Sequence, residues 1–330
     1  MVLEKTLNAF AYLCSIMWKI LTRIIRGPRP LSPLALKAFW DFSGQPLRDY
    51  LSILMGRDQF LVRQAEGAPV YMHIQPQRLV GFYLGLYLHG LRIEHIDPAS
   101  GLATWRWKSL RLTVRWGNLA DEAVIKQNYV DKIFGEHFEG MRILDIGAYI
   151  GDTALLFACG GAAEVYAIEP SPKNLHLLER NILQNQWRDR IHILPVALSG
   201  ENGMTSFFID DNHPDTHHMK VISSSILDLQ QEWRNLREIE VPTWTLEKII
   251  DQTGWDEVDL AKVDCEGGEY PLFLQTPAEV LRRVKVYIVE YHDGIEPLRK
   301  RLEEIGYCLK EVNLLSAPLK GGYFYAYRVN

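Results

Sequence analysis

The sequence predicts an α/β chain. Its larger part is a mostly parallel, doubly wound sheet of Rossmann-like type with an antiparallel closing strand, and a helical and β-rich module precedes it. Three observations lead there. Residues 142–152 read Arg-Ile-Leu-Asp-Ile-Gly-Ala-Tyr-Ile-Gly-Asp, an apolar run that ends in an acid, a glycine-rich turn and a helix start. A second apolar run, 164–168, ends at Glu169, about 20 residues after the first glycine, where such folds carry an acid for a ribose diol. From residue 119 onward, strand-like and helix-like stretches alternate, which argues for parallel strands joined by right-handed crossovers.

Taken in order, residues 1–66 read as a helical N-terminal segment, 67–118 as a β-rich accessory region and 119–330 as the domain that carries the sheet. Within 3–26 a narrow polar stripe (Lys5, Asn8, Tyr12, Ser15, Lys19, Thr22, Arg26) recurs at steps of three and four on an otherwise apolar helix that Gly27-Pro28 stops. That helix packs on its own domain or on a second copy in a homodimer. Alternatively its basic end and Trp18 anchor it at a membrane surface. Ser32-Pro33 opens a helix to about Phe42, and a second helix follows to about Arg63. Strands are expected over 70–74, 80–88, 91–95, 103–107 and 110–116, rich in Trp and Tyr. A helix over 120–138 leads into strand 142–146, helix 153–159, strand 164–168, helix 173–185 and strand 191–196. Strands 204–209, 239–245, 259–263 and 284–290 follow, with helices at 246–252 and 297–305. Residues 308–312 and 323–329 form a closing antiparallel pair.

The bulk numbers bound the function. With 47% hydrophobic and 23% charged residues, a full core is available. A net charge of −5 leaves no global footprint for nucleic acid. Cys14, Cys159, Cys265 and Cys308 are scattered without metal or disulfide spacing, which points to a reducing, cytoplasmic setting, with peripheral membrane contact through residues 3–26 as the variant. No run reaches the roughly 20 apolar residues that span a bilayer.

The glycine turn also discriminates between cofactors. A dinucleotide fingerprint is Gly-x-Gly-x-x-Gly; here Ala148 and Tyr149 separate Gly147 from Gly151, and Asp145 and Asp152 bracket the loop. Carboxylates beside a pyrophosphate repel it. S-adenosylmethionine has no phosphate and carries an ammonium and a sulfonium, which suits these acids. NAD, and with it an oxidoreductase, is the alternative.

Ligands of such sheets sit beyond the carboxyl ends of the strands, and those ends are acidic here. Strand 259–263 runs into Asp264-Cys265-Glu266-Gly267-Gly268-Glu269, and strand 284–289 into Glu290-Tyr291-His292-Asp293. In extended geometry Asp264 and Glu266 share a face, as do Glu290 and His292.

These segments together resemble the FkbM family of S-adenosylmethionine-dependent methyltransferases. The resemblance rests on Asp145–Asp152, Val165-Tyr-Ala-Ile-Glu-Pro-Ser-Pro172, Asn181 and Asn185, Val196-Ala-Leu-Ser199, Val241-Pro-Thr-Trp-Thr-Leu246, Lys262-Val-Asp-Cys-Glu-Gly-Gly-Glu-Tyr270 and Val289-Glu-Tyr-His292. It covers about residues 119–312 and leaves 1–118 unexplained. Tyr149 departs from the Asn the family commonly has in its glycine loop. The resemblance implies a class I methyltransferase fold. It also implies O-methylation of a sugar, glycan, lipid or polyketide-type hydroxyl, or donor binding without catalysis if the activity has been lost.

The roles expected from it are these. Gly147, Ala148, Tyr149 and Gly151 form the loop around the methionine part of S-adenosylmethionine. Asp145 lies near its ammonium, Glu169 takes the ribose hydroxyls, Ala197 lines the adenine and Asp264 sits where the methyl meets the acceptor. His292 is the favoured base, with an ordinary pKa near neutrality. Asp264 or Glu266 is the alternative base. A Mg²⁺ ion on Asp264, Glu266 and His292 is a further route to an activated hydroxyl. Glu269 follows a Gly-Gly turn and is expected to cap the next helix. The polar loop 213–218 reads as a substrate lid or plain surface.

Overall fold

The structure, a computed structural model, describes residues 33–44, 59–74, 82–210, 218–219, 236–265, 267–312 and 321–329. The expectations for 3–26, for Glu266 and for nearly all of loop 213–218 lie outside the described residues, as does most of the helix expected to reach Arg63; the end of that helix is a correction, because Gln59–Val62 form a β-strand. The chain divides into two compact units, Met1–Arg111 and Leu112–Asn330.

The first unit contains α1 (Pro33–Phe42), the antiparallel pair β1 (Gln59–Val62) and β2 (Val70–His73), α2 (Leu84–Leu88), β3 (Arg92–Asp97) and β4 (Leu102–Trp107). β3 and β4 pair antiparallel, and the boundary between the units falls within the next strand, β5 (Leu110–Arg115). The strand expected over 80–88 is a correction: residues 84–88 are helical. Phe82-Tyr-Leu-Gly-Leu-Tyr-Leu88 is a nearly unbroken apolar run, and such a run carries no period to separate a buried strand from a buried helix. Tyr83, Leu84 and Tyr87, spaced as one helical face, are buried, and the rings of Tyr83 and Tyr87 pack on Phe42 of α1 and on Trp105 of β4.

The second unit begins with α3 (Leu119–Lys126), capped by Asn118, whose side chain accepts the N–H groups of Ala120 and Asp121 at 3.0 Å. The helix expected to reach residue 138 is shorter. It loosens into a π-turn (Gln127–Asp131) and ends where Lys132 turns left-handed, at φ 54°. The elements that follow are β6 (Arg142–Ile146), α4 (Asp152–Cys159), β7 (Glu164–Ile168), α5 (Pro172–Leu183), β8 (Ile191–Leu194), β9 (Ala197–Leu198), β10 (Gly203–Asp210), β11 (His218–Met219), β12 (Leu236–Trp244), α6 (Leu246–Thr253), β13 (Val258–Val263), α7 (Glu269–Gln275), α8 (Ala278–Leu281), β14 (Val284–Tyr291), α9 (Glu296–Glu304), β15 (Tyr307–Val312) and β16 (Gly322–Arg328).

The main sheet has seven strands in the order β15-β16-β14-β13-β6-β7-β8. Strands β14, β13, β6, β7 and β8 are mutually parallel, and β16 runs antiparallel between β14 and β15. This is the expected doubly wound sheet with its antiparallel closing strand. Its middle strands are apolar nearly throughout because helices cover both faces. Leu144, Ile146, Ala261, Val263, Tyr287 and Val289 are all buried in the same core. The strand order reverses direction between β6 and β13, the switch point where such sheets open a crevice. A second sheet, β11-β10-β12-β9, adds a long antiparallel pair. Among the described residues, no helix is long and apolar enough to cross a membrane.

Candidate active site

A cavity of about 290 Å³ opens at that switch point, near the lower end of the range usual for small-molecule sites. Its walls include the glycine loop after β6 (Gly147, Tyr149), Asp152 and Thr153 of α4, Glu169 after β7, Ala197 of β9, Lys262 and Asp264 at the end of β13, and Glu290 of β14 with Tyr323 of β16. Helix α3 and the π-turn contribute Ala123, Gln127 and Asn128.

The glycine loop has its shape for steric reasons. Gly147 has φ 78°, and a Cβ there would sit 1.7 Å from the carbonyl oxygen of Asp264, so no other residue fits. Gly151 has φ 84°, and its Cβ would fall 2.5 Å from Leu178 of α5. Between them Tyr149 also turns left-handed, at φ 49°, a conformation that costs a side-chain-bearing residue roughly 1 kcal/mol or more. An Asn at this position would tolerate it better. Tyr149 is held by its far end instead: its hydroxyl donates to Asp121 at 2.6 Å and accepts from Arg115 at 2.7 Å. Arg115 in turn pairs with Asp121 at 2.7 Å. The N–H groups of Gly147 and Ala148 both donate to Ile168, at 3.0 Å, so this part of the loop is tied to β7.

Four charged groups at the loop are buried. Glu169 accepts the N–H of Tyr149 on one oxygen (3.0 Å), and the N–H of Ser171 (2.8 Å) and the amide of Asn174 (3.4 Å) on the other. A carboxylate has about four acceptor sites, so the oxygen facing Tyr149 keeps one for a ligand hydroxyl. Burial pushes the Glu169 carboxyl up to about 7, against the opposing pull of these hydrogen bonds. Asp152 is likewise raised to about 7 by burial, despite the positive charge of Lys262 and the amide of Asn128 at 2.5 Å. Asp145 is fully buried, accepts the Thr153 hydroxyl at 2.6 Å and is raised by burial. Its second oxygen lies 3.3 Å from Lys262 as an ion pair without hydrogen-bond alignment.

Lys262 is the hub. Its ammonium donates to the Gly147 carbonyl at 2.6 Å and lies 3.5 Å from Asp264. Burial works against its charge, but Asp145, Asp264 and Asp152 outweigh it and hold the ammonium above its ordinary pKa. Lys262 and Asp264 are two residues apart and share a face of β13. That spacing was the available signal for Lys262, which an apolar-run reading passes over.

At the ends of β13 and β14, Asp264, Glu290 and His292 bring one ligand atom each within 4.8 Å of one another, all half-buried. The Tyr323 hydroxyl donates to Glu290. The expectation of Mg²⁺ on Asp264, Glu266 and His292 gains no support. Among the described residues the group that converges is Asp264, Glu290 and His292, and Glu266 lies outside them; Asp264 already faces the Lys262 ammonium, and Glu290 already accepts a hydroxyl. The ring Nδ1 of His292 lies 2.9 Å from the fully buried Glu269 of α7. Of the residues selected from sequence, Gly147, Tyr149, Glu169, Ala197 and Asp264 line the cavity, while Asp145, Ala148, Gly151 and His292 are not among its walls. Asp145, expected near a donor ammonium, faces the Lys262 ammonium. Asn128, Asn174 and Tyr323 are wall or network residues that the sequence did not single out.

The family model described as methyltransferase FkbM domain matches residues 145–309, half of the chain, which takes in the site from Asp145 to His292 but not Arg115, Asp121, Asn128 or Tyr323. The chain belongs to the FkbM methyltransferase family. It is therefore an S-adenosylmethionine-dependent methyltransferase with a class I fold, and the oxidoreductase alternative falls away. Solved structures similar to this FkbM methyltransferase include methyltransferase FkbM from Methylobacillus flagellatus KT (15% identity, TM-score 0.39, covering 57% of this chain and 44% of that one). They also include magnesium protoporphyrin IX methyltransferase from Synechocystis PCC 6803 with bound SAM (11%, 0.37, covering 64% and 85%). A third is precorrin-6y C5,15-methyltransferase from Geobacter metallireducens GS-15 (12%, 0.32, covering 58% and 81%). The match thus spans less than half the length of the Methylobacillus protein. A search of curated proteins returns no match.

Proposed function

We propose that this enzyme transfers the methyl group of S-adenosylmethionine to a hydroxyl of a neutral acceptor, a sugar, glycan, lipid or polyketide-type alcohol, with His292 as the base. The observation that carries the reading is the convergence of Asp264, Glu290 and His292 beside the wall that holds Gly147 and Glu169. When bound, the donor supplies a methyl carbon activated by an adjacent sulfonium. The chain's residues do the rest. Glu169 offers its remaining acceptor site to a ribose hydroxyl. Gly147, whose missing side chain keeps the loop thin, lets main chain approach the methionine part, and Ala197 leaves room for a flat base. The buried acids Asp152 and Glu169 suit a cation and repel a pyrophosphate.

At the acceptor, the needs of in-line displacement are alignment and removal of a proton. Asp264 is engaged by the Lys262 ammonium at 3.5 Å. Glu290 is engaged by Tyr323. His292 is the group of the three suited to accept a proton near neutrality. Asp264 and Glu290 then serve as hydrogen-bond acceptors for the substrate's hydroxyls, and their negative charge disfavours phosphate or carboxylate acceptors.

The test is transfer of radiolabel from S-adenosyl-[methyl-³H]methionine to a panel of neutral and anionic hydroxyl compounds, with S-adenosylhomocysteine and NAD⁺ binding followed by calorimetry. Labelled ethers of neutral acceptors, absent with His292→Asn, are expected. Label on nitrogen or carbon, or only on anionic acceptors, would overturn the reading.

A further inference from the structure

We infer that Glu269 is a positioning residue that fixes His292 in the tautomer a base requires; this rests on the reading of His292 given above. Glu269 opens α7 directly after the Gly267-Gly268 bend, and its side chain folds back instead of pointing along the helix. One carboxylate oxygen accepts the Gly267 N–H at 2.8 Å; the other accepts the His292 N–H at 3.2 Å and lies 2.9 Å from the His292 ring Nδ1. The carboxylate is wholly buried, the imidazole half-buried.

The tautomer follows from the partners. Two main-chain N–H groups can only donate, so the carboxylate is their acceptor, and the shared oxygen is an acceptor for the ring as well. Nδ1 therefore carries the hydrogen, and Nε2 carries the lone pair. An exposed imidazole has no such constraint and favours neither arrangement strongly enough to keep its lone pair aimed at a substrate.

In the transfer step the acceptor oxygen forms its bond to the methyl carbon. The carbon–sulfur bond breaks with its electron pair going to sulfur, which leaves a neutral thioether. The hydroxyl proton passes to Nε2 and later to solvent. The imidazolium so formed faces the buried Glu269 carboxylate, an arrangement that orients the ring and stabilises its charge.

A rival role for Glu269 is that of a plain tether for the loop after β14. The structure separates the two roles, because Tyr270 already holds that loop. Its hydroxyl accepts the Asp293 N–H at 2.7 Å and donates to the Gly294 carbonyl at 2.9 Å. Burial raises the Tyr270 phenol to about 12, so it remains a neutral donor across the working range. Other groups that face the ring are Asp264 and Glu290.

The experiment needs no acceptor. Full-length protein labelled with [¹⁵N]histidine is examined by long-range ¹H–¹⁵N correlation at a pH where the rings are neutral, with His292 identified by its loss in His292→Asn. The expected result is a protonated Nδ1 and an unprotonated Nε2 at His292. That signature is lost in Glu269→Gln and kept in Tyr270→Phe. A protonated Nε2 in the unmodified protein, or an unchanged signature in Glu269→Gln, would overturn the inference. If Glu269→Gln does not fold, the unmodified protein alone decides. Calorimetry with S-adenosylhomocysteine runs beside it. Equal affinity in the unmodified protein and in Glu269→Gln is expected, and loss of binding in a folded Glu269→Gln would assign a structural role instead. Failure of the unmodified protein to bind would refute the donor reading and leave the tautomer result standing, so the two failures are distinct.

Discussion

Around the cavity stand two sets of charged groups built on opposite terms. Asp145, Asp152, Glu169 and Lys262 are buried, and each is tied to main chain, to a buried side chain or to another member of the set. Asp264, Glu290 and His292 are half-buried and come from the ends of two strands. The first set has little room to rearrange, because any unpaired charge there carries the full cost of burial. The second can meet different acceptors with small shifts. On the proposed reading, the buried set meets the donor and the half-buried set meets the acceptor. The salt bridge between Lys262 and Asp264 joins the sets.

The contrast can be broken at either end. The largest effect is expected from His292→Asn, which should lower turnover by about 10²–10⁴-fold while S-adenosylhomocysteine affinity in calorimetry stays unchanged; parallel loss of both would erase the division. Lys262→Met should do the reverse. Removing the one cation from among Asp145, Asp264 and Asp152 should cost roughly 3–5 kcal/mol in urea unfolding and weaken donor binding as well.

A pH series sharpens the point. Glu169 and Asp152 are raised to about 7 by burial. Their folded pKa values lie above the unfolded carboxylate range near 4, so their contribution to stability is whole below that range and is lost as pH climbs to about 7. Donor binding needs the ionised Glu169. Affinity should therefore rise by up to about tenfold per pH unit below 7 for each coupled proton and level off above it; a flat profile from calorimetry would break the link. The smallest effect belongs to Tyr149→Phe. Loss of the phenol's bonds to Asp121 and Arg115 should cost on the order of 1 kcal/mol, seen as a modest fall in melting temperature with His292-dependent turnover intact.

What the sequence disclosed tracks what has a local period or a local steric demand. The β6–glycine–α4 turn is readable because Gly147 and Gly151 need positive φ and empty space, and Glu169 because it follows its strand directly. The closing pair β15–β16 shows as two alternating runs. By contrast, α2 sits in an apolar run whose composition fits strand and helix alike, and the shift of α3 into a π-turn has no residue that announces it. At the site, Glu269 was legible as a residue at a helix start, but its partner lies 23 positions on, and only the packing of α7 against the end of β14 joins them. Glu290 and Tyr323 likewise meet through β14–β16 register. Tyr149 was visible as a departure from the family's Asn; that Arg115 and Asp121 compensate for it from another part of the chain was not.

The contact between Gly147 and the Asp264 carbonyl sets a gauge. Main chain rests on main chain there, with no side chain between to lengthen or shorten the gap. The spacing between the glycine loop and the end of β13 is thus fixed by covalent geometry and van der Waals radii. In-line transfer tolerates little slack in that span. Drift in sequence can reshape the cavity wall at Glu290 or Tyr323, but it cannot retune this spacing without first replacing the one residue that has no side chain to change.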